Sequence, residues 1–86
     1  MVELSLLIER MQRAAETARS AADVYRCYRT QAGDEAGDGL LVKCLVQGFG
    51  VPIRVAMTAT DWRGFGLDYG LNDEELERLL GRWLHD

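Results

Sequence analysis

The chain reads as an α+β fold, in which a long N-terminal helix and a short C-terminal helix pack on an antiparallel sheet of two or three strands. Three observations predict it. Apolar residues recur every three or four positions from Glu3 to about Ala32, alternate along residues 40–47 and 51–60, and return to helical spacing after an N-cap signal at Asn72. All of this fits one small domain spanning residues 1–86. A chain of 86 residues hides only about 60–65% of the surface its unfolded form exposes, which leaves no room for two cores.

In the N-terminal segment, Leu4, Leu7, Ile8, Met11, Ala14, Ala15, Ala18, Ala21, Ala22, Tyr25 and Tyr28 form a broad dry stripe, with Glu9, Glu16 and Asp23 opposite. Glu9 with Arg13, Glu16 with Arg19 and Asp23 with Arg26 have the spacing of helical ion pairs. Alanine in the middle of the stripe removes bulk, so a close-packed backbone is expected against Ala14, Ala18 and Ala21. It would come from the domain's own sheet or last helix, or from a second copy of the helix in an antiparallel homodimer. Gly33 then supplies a left-handed cap, and Asp34, Glu35 and Asp38 lie in an acidic loop. Their spacing does not match a calcium loop, and Leu45 stands where a bidentate Glu would be needed, so no metal is expected.

The strands are predicted around Gly48-Phe49-Gly50, taken as the reversal of a hairpin 40–47/51–60. Leu40, Val42, Cys44 and Val46 would share the core face with Val51, Ile53, Val55, Met57 and Ala59. Leu41, Lys43, Leu45 and Gln47 would share the other with Arg54, Ala56, Thr58 and Thr60. Pro52 donates no hydrogen bond and so belongs near the turn or on an edge. Residues 61–70 form a glycine-rich loop bearing Trp62, Phe65 and Tyr69, with room for a third strand at 65–69. The last helix, 73–85, carries the strongest local signals. Asn72 and Glu75 form a capping box, Leu71 and Leu76 a staple, and Leu76, Leu79, Leu80, Trp83 and Leu84 an apolar stripe, with Gly81 on the polar side.

The net charge of −4 is uneven: residues 1–30 hold five Arg against four acids, and the remainder holds five bases against ten acids. Nucleic acid is therefore not the expected partner, and a regulator gripping it through Arg10, Arg13, Arg19, Arg26 and Arg29 is the alternative reading. Cys27 and Cys44 are too few and too far apart for a zinc knuckle or a disulfide scaffold, and are expected to be reduced thiols. Met1-Val2-Glu3 lacks the basic start of a signal peptide, and no stretch approaches the roughly 20 apolar residues of a membrane span, so a cytoplasmic location is expected.

Catalytic chemistry finds little support. The sole histidine, His85, is next to last, Ser5 and Ser20 have no base in sight, and Asp68 and Asp73 read as acids beside a helix start. Neither Gly-Phe-Gly unit, at 48–50 or at 64–66, continues into a phosphate-binding loop. The expectation is a protein without enzymatic activity or cofactor: an acidic protein-interaction module of bacterial type. It would act as a regulator, adaptor or inhibitor of a larger protein machine, of the kind mobile elements carry against host defence systems, or as a secretion-chaperone-like assembly factor. Its contact surface is expected on the exposed sheet face, Leu41, Leu45 and Arg54, with the loop residues Trp62, Phe65 and Asp68, and on the alanine stripe if the chain pairs with itself.

Overall fold

The structure, a computed structural model, describes residues 3–85; Met1 and Val2, on which the expectation about a signal peptide rests, and Asp86 lie outside them. Ser20 breaks the first long apolar stripe in two. Its hydroxyl accepts the Asp23 N–H at 3.4 Å, an N-cap that starts a second helix after the extended residue Ala18. The result is a helical hairpin: α1 (Leu4–Thr17) and α2 (Ala21–Ala32) pack on each other across a three-residue link. The single long helix is thus corrected to two. The pairs Arg13–Glu9 at 2.9 Å and Arg26–Asp23 at 2.8 Å form, whereas Glu16 and Arg19 fall on opposite sides of the helix end.

The sheet is absent. Beyond a 3₁₀ turn at Gly33–Glu35 the chain forms α3 (Asp38–Phe49), α4 (Ile53–Thr58), a second 3₁₀ turn at Arg63–Phe65 and α5 (Asp73–Leu84). The fold is all-helical and not α+β. Among the described residues the one β-type pairing is an isolated parallel bridge between Trp62 and Leu71. The predicted hairpin 40–47/51–60 fails because residues 40–46 are so uniformly apolar that both periods match them. The buried set is Leu41, Cys44 and Leu45, the helical spacing, while Leu40, Val42 and Val46 are only partly buried.

Gly48-Phe49-Gly50 is a helix end and not a hairpin turn. Gly50 takes the left-handed conformation, φ 69° and ψ 20°, and the Val51 N–H reaches back to the Leu45 carbonyl at 3.1 Å. Val51 is buried beneath that end, and Pro52 follows, accepting the Ala56 N–H at 2.9 Å to open α4. Glycine past the last turn, an apolar residue folded under it and a proline beyond make a stop-and-restart signal. Gly48 itself lies inside α3, where a Cβ would sit 2.7 Å from Ile8 Cγ2. There α3 meets α1, and the Gln12 side-chain amide donates to the Gly48 carbonyl at 2.7 Å.

At six residues α4 is far below the length that holds a helix in water, so tertiary contacts must maintain it. Ala56 and Ala59 are fully buried, and Tyr25 Oη donates to the Ala59 carbonyl at 2.7 Å. Tyr28 acts similarly at the start of α3: Oη donates to the Gly37 carbonyl at 2.7 Å and accepts the Gly37 N–H at 2.9 Å. The loop between α4 and α5 holds no third strand at 65–69. It closes on itself through Leu71 N–H to Asp61 O at 2.6 Å and Arg63 N–H to Leu71 O at 2.9 Å.

The last helix forms where its signals place it. Asn72 Oδ1 accepts the Glu75 N–H at 2.8 Å and Glu75 Oε1 accepts the Asn72 N–H at 3.1 Å. Leu76, Leu80 and Leu84 are buried. Glu77 has a role the polar-face reading misses. Its carboxylate accepts the Ala21 N–H at 2.6 Å, capping α2 from a different helix. Gly81 leaves that carboxylate space, since a Cβ there would stand 2.4 Å from Glu77 Oε2.

Two stability predictions follow from this geometry. Gly70 has φ 99°, and a Cβ on it would lie 2.2 Å from the Asp61 carbonyl oxygen. Gly70→Ala should therefore cost at least about 1–3 kcal/mol in urea unfolding; an unchanged midpoint would show that the loop closure is unimportant. The second concerns alkali. Burial, with Tyr28 nearby, holds the Tyr25 hydroxyl far above its ordinary value, burial also raises Tyr28, and it pushes the Cys44 thiol up to about 11. Below about pH 7.5 neither folded nor unfolded chain ionises these groups, and the full stability is present. Above it the unfolded chain releases protons that the folded one keeps, so stability falls as pH rises, by up to about 1.4 kcal/mol per unit for each group. Tyr25→Phe should flatten that decline between about pH 10 and 11.5, and an unchanged slope would exclude Tyr25 as its source.

Candidate protein-interaction surface

The residues picked from sequence as a contact surface separate into three sets. Leu41, Leu45, Trp62 and Ala21 are buried in the core, at 0–2% exposure. Phe65, Ala14 and Ala18 are half-buried, and Arg54 and Asp68 are exposed. The expected surface of Leu41, Leu45 and Arg54 rested on a sheet face and does not exist. In α3, Leu41 and Leu45 lie one turn apart on the inward side, whereas Arg54 projects from α4. Nor do the alanines make one face, because the α1–α2 link separates Ala14 from Ala21. Ala18, in that link, lines a broad open cleft with Gly48, Phe49, Trp83 and Leu84.

Trp62 is seated by specific contacts. Its ring meets Tyr25 edge-on at 5.6 Å and Phe65 edge-on at 5.1 Å, and Phe65 stacks on Tyr25 at 5.6 Å. The indole N–H donates to Asp73 Oδ1 at 2.8 Å, so the polar edge of a nearly buried ring is satisfied at the start of α5. Arg26 lies over the ring at 5.5 Å and reaches Asp73 Oδ2 at 3.3 Å. Asp73 thus joins Trp62, Arg26 and the first turn of α5, a structural task that gives it no acid–base partner in Asp68.

What the domain turns outward is a different apolar pair. Ile53 and Met57 are each 60% exposed, one helical turn apart on α4, with the exposed Arg54 beside them. The other large exposed apolar residues among those described, Leu6 and Tyr69, lie on α1 and in the loop before α5. Sequence reasoning assigned Ile53 and Met57 to the core because it read α4 as a strand. At helical spacing the same residues oppose Ala56 and Ala59, which are buried.

His85 and Ser20, weighed above as possible chemical groups, are engaged structurally. His85 Nε2 lies 3.1 Å from Glu77 Oε2, and Ser20 Oγ caps α2. Among the described residues no group of three or more His, Cys, Asp or Glu could hold a metal ion, and no helix is long and apolar enough to cross a membrane. A cleft of about 240 Å³ opens where α2 ends and α3 begins, walled by Tyr28, Leu41, Phe65 and Tyr69 with Asp38 and Asp61 in its lining.

Trp62→Ala tests whether this tryptophan serves the core. It should cost about 3–5 kcal/mol in denaturant unfolding, the range for truncating a buried aromatic. A folded variant of unchanged stability would return Trp62 to the list of contact residues.

No family model matches this chain, and neither does any curated protein or solved structure.

Proposed function

We propose that this chain is a non-enzymatic protein-binding module of the cytoplasm, an acidic regulator, adaptor or inhibitor that docks on a larger protein through the outer face of α4. The observation that carries the reading is the exposure of Ile53 and Met57, one turn apart, on a helix whose inner side packs on the core through buried Ala56 and half-buried Val55. Adjacent exposed aliphatic side chains are uncommon on the surface of a small monomer and mark contact sites when they cluster. Methionine adds an adaptable side chain of the sort that recognition surfaces use.

The arginines favour a protein over a nucleic acid. Arg13 and Arg26 are paired with carboxylates, Arg10 donates to Gln31, and Arg29 donates to the Gly64 carbonyl at 3.3 Å. Breaking α1 from α2 also splits these residues between two helices, so they offer no continuous basic stripe to a phosphate backbone. The free thiols of Cys27 and Cys44 suit a reducing compartment.

The test is a pair of substitutions at exposed positions. Ile53→Asp with Met57→Asp should leave unfolding within about 0.5 kcal/mol of the parent, as surface changes do. Affinity capture from the native host should then lose by about tenfold or more a protein that the parent retains, the effect of removing an interface anchor. Leu6→Asp, at an exposed apolar position on α1, should leave capture intact. Equal recovery with the double variant would overturn the reading.

A further inference from the structure

The charge around the exposed pair says what kind of partner it takes. From Gly39 to Thr60 the chain contains no acid, and its only charged residues are Lys43 and Arg54. This stretch is α3 without its first residue, Asp38, followed by α4, and the two helices pack on each other. It carries +2, and since the whole chain is −4 the remainder carries −6. The acids that bound the stretch, Asp38 and Asp61, both line the cleft beside Tyr28 and Leu41, a lining that includes neither Ile53 nor Met57. An acidic protein thus exposes Ile53 and Met57 on a segment whose only charges, Lys43 and Arg54, are both positive and both exposed.

Resting on the docking function above, we propose that the occupant of this face is an acidic amphipathic segment of the partner protein. Its apolar side chains would cover Ile53 and Met57, and its carboxylates would meet Arg54 and Lys43. Arginine suits that role because its planar donors can grip a carboxylate at two points. A segment presenting apolar anchors one turn apart matches the spacing of Ile53 and Met57, the usual logic of helix recognition. A basic segment would be repelled at the same place, which gives the face selectivity as well as affinity.

A second copy of this chain is a poorer occupant. Its most acidic helix is α5, with Asp73, Glu74 and Glu75 in the first turn. The apolar stripe of α5, Leu76, Leu80 and Leu84, is buried in its own core. The α5 of a second copy could therefore offer carboxylates without apolar anchors, and its α4 could offer anchors flanked only by like positive charge.

The experiment selects ligands from a displayed library of random peptides against the full chain and measures the enriched peptides by titration at two salt concentrations. The expected ligands carry net negative charge with apolar residues three or four apart. Their binding should weaken about fivefold or more in Lys43→Glu/Arg54→Glu and weaken with added salt. A peptide with its acids changed to Lys should bind the charge-reversed protein better than the parent. If peptides bind and are lost with Ile53→Asp/Met57→Asp but are neutral or basic, or ignore the charge reversal, the acidic partner is wrong while the docking face stands. If no peptide depends on Ile53 and Met57, both fail. A third result overturns the protein ligand in favour of lipid: vesicles of phosphatidylserine and phosphatidylcholine bind, charge reversal abolishes that binding, and no peptide competes.

Discussion

Two tyrosines on one helix impose the constraint on which the rest of the fold depends. Tyr25 and Tyr28 are buried at 0% and 1% exposure, in a core too small to hide a hydroxyl without a partner. Tyr25 finds the Ala59 carbonyl, just past the end of α4, and Tyr28 finds both polar atoms of Gly37, the cap of α3. Helix ends are where backbone groups lack intrahelical partners. The tyrosines therefore satisfy themselves and two helix termini at once. From its other side α2 packs on α1 and α5, and Glu77 of α5 caps its first turn. Remove α2 and no pair of remaining helices retains these end-to-end ties.

The same constraint explains how α4 exists. A helix this short gains little from its own hydrogen bonds, and nucleation alone would disfavour it. Gly50 and Pro52 set where it begins, and Ala56 and Ala59 let its backbone lie close to the core. The Tyr25 hydrogen bond then holds its far end. Once the inner side is made of two alanines, the bulky residues of the segment, Ile53 and Met57, are left on the outside.

How much of this was legible in the sequence differs by segment, and the differences have physical causes. The α5 cap, staple and stripe are local features, readable within about a dozen residues, and they formed. Ser20-Ala21-Ala22-Asp23 is also a local cap signal, but the apolar repeat runs through it without a break, so periodicity concealed the end of α1. In residues 40–60 the misreading ran deeper. A nearly continuous apolar run fits period two as well as period 3.6, and Val51, Ile53, Val55, Met57 and Ala59 alternate by coincidence. The deciding information was Gly50-Val51-Pro52, read as a turn and an edge strand although glycine followed by proline equally ends one helix and starts another. The candidate site inherited that error. Arg54 stayed outside under either reading, whereas Leu41, Leu45 and Trp62 moved into the core, and Ile53 and Met57 moved out of it.

The placement of the exposed pair links binding to stability. Ile53 and Met57 sit on the segment whose other side carries Ala56, Ala59 and the carbonyl held by Tyr25, so whatever covers them also restrains the end of α4 that closes the core. A ligand of the folded state alone stabilises it in proportion to the logarithm of its concentration over its dissociation constant, about 2.7 kcal/mol at a hundredfold excess. For a domain of this size, with total stability of roughly 0.05–0.15 kcal/mol per residue, that is a substantial fraction. In the proposed complex, burial of the apolar pair would return stability to α4, the shortest α-helix of the fold.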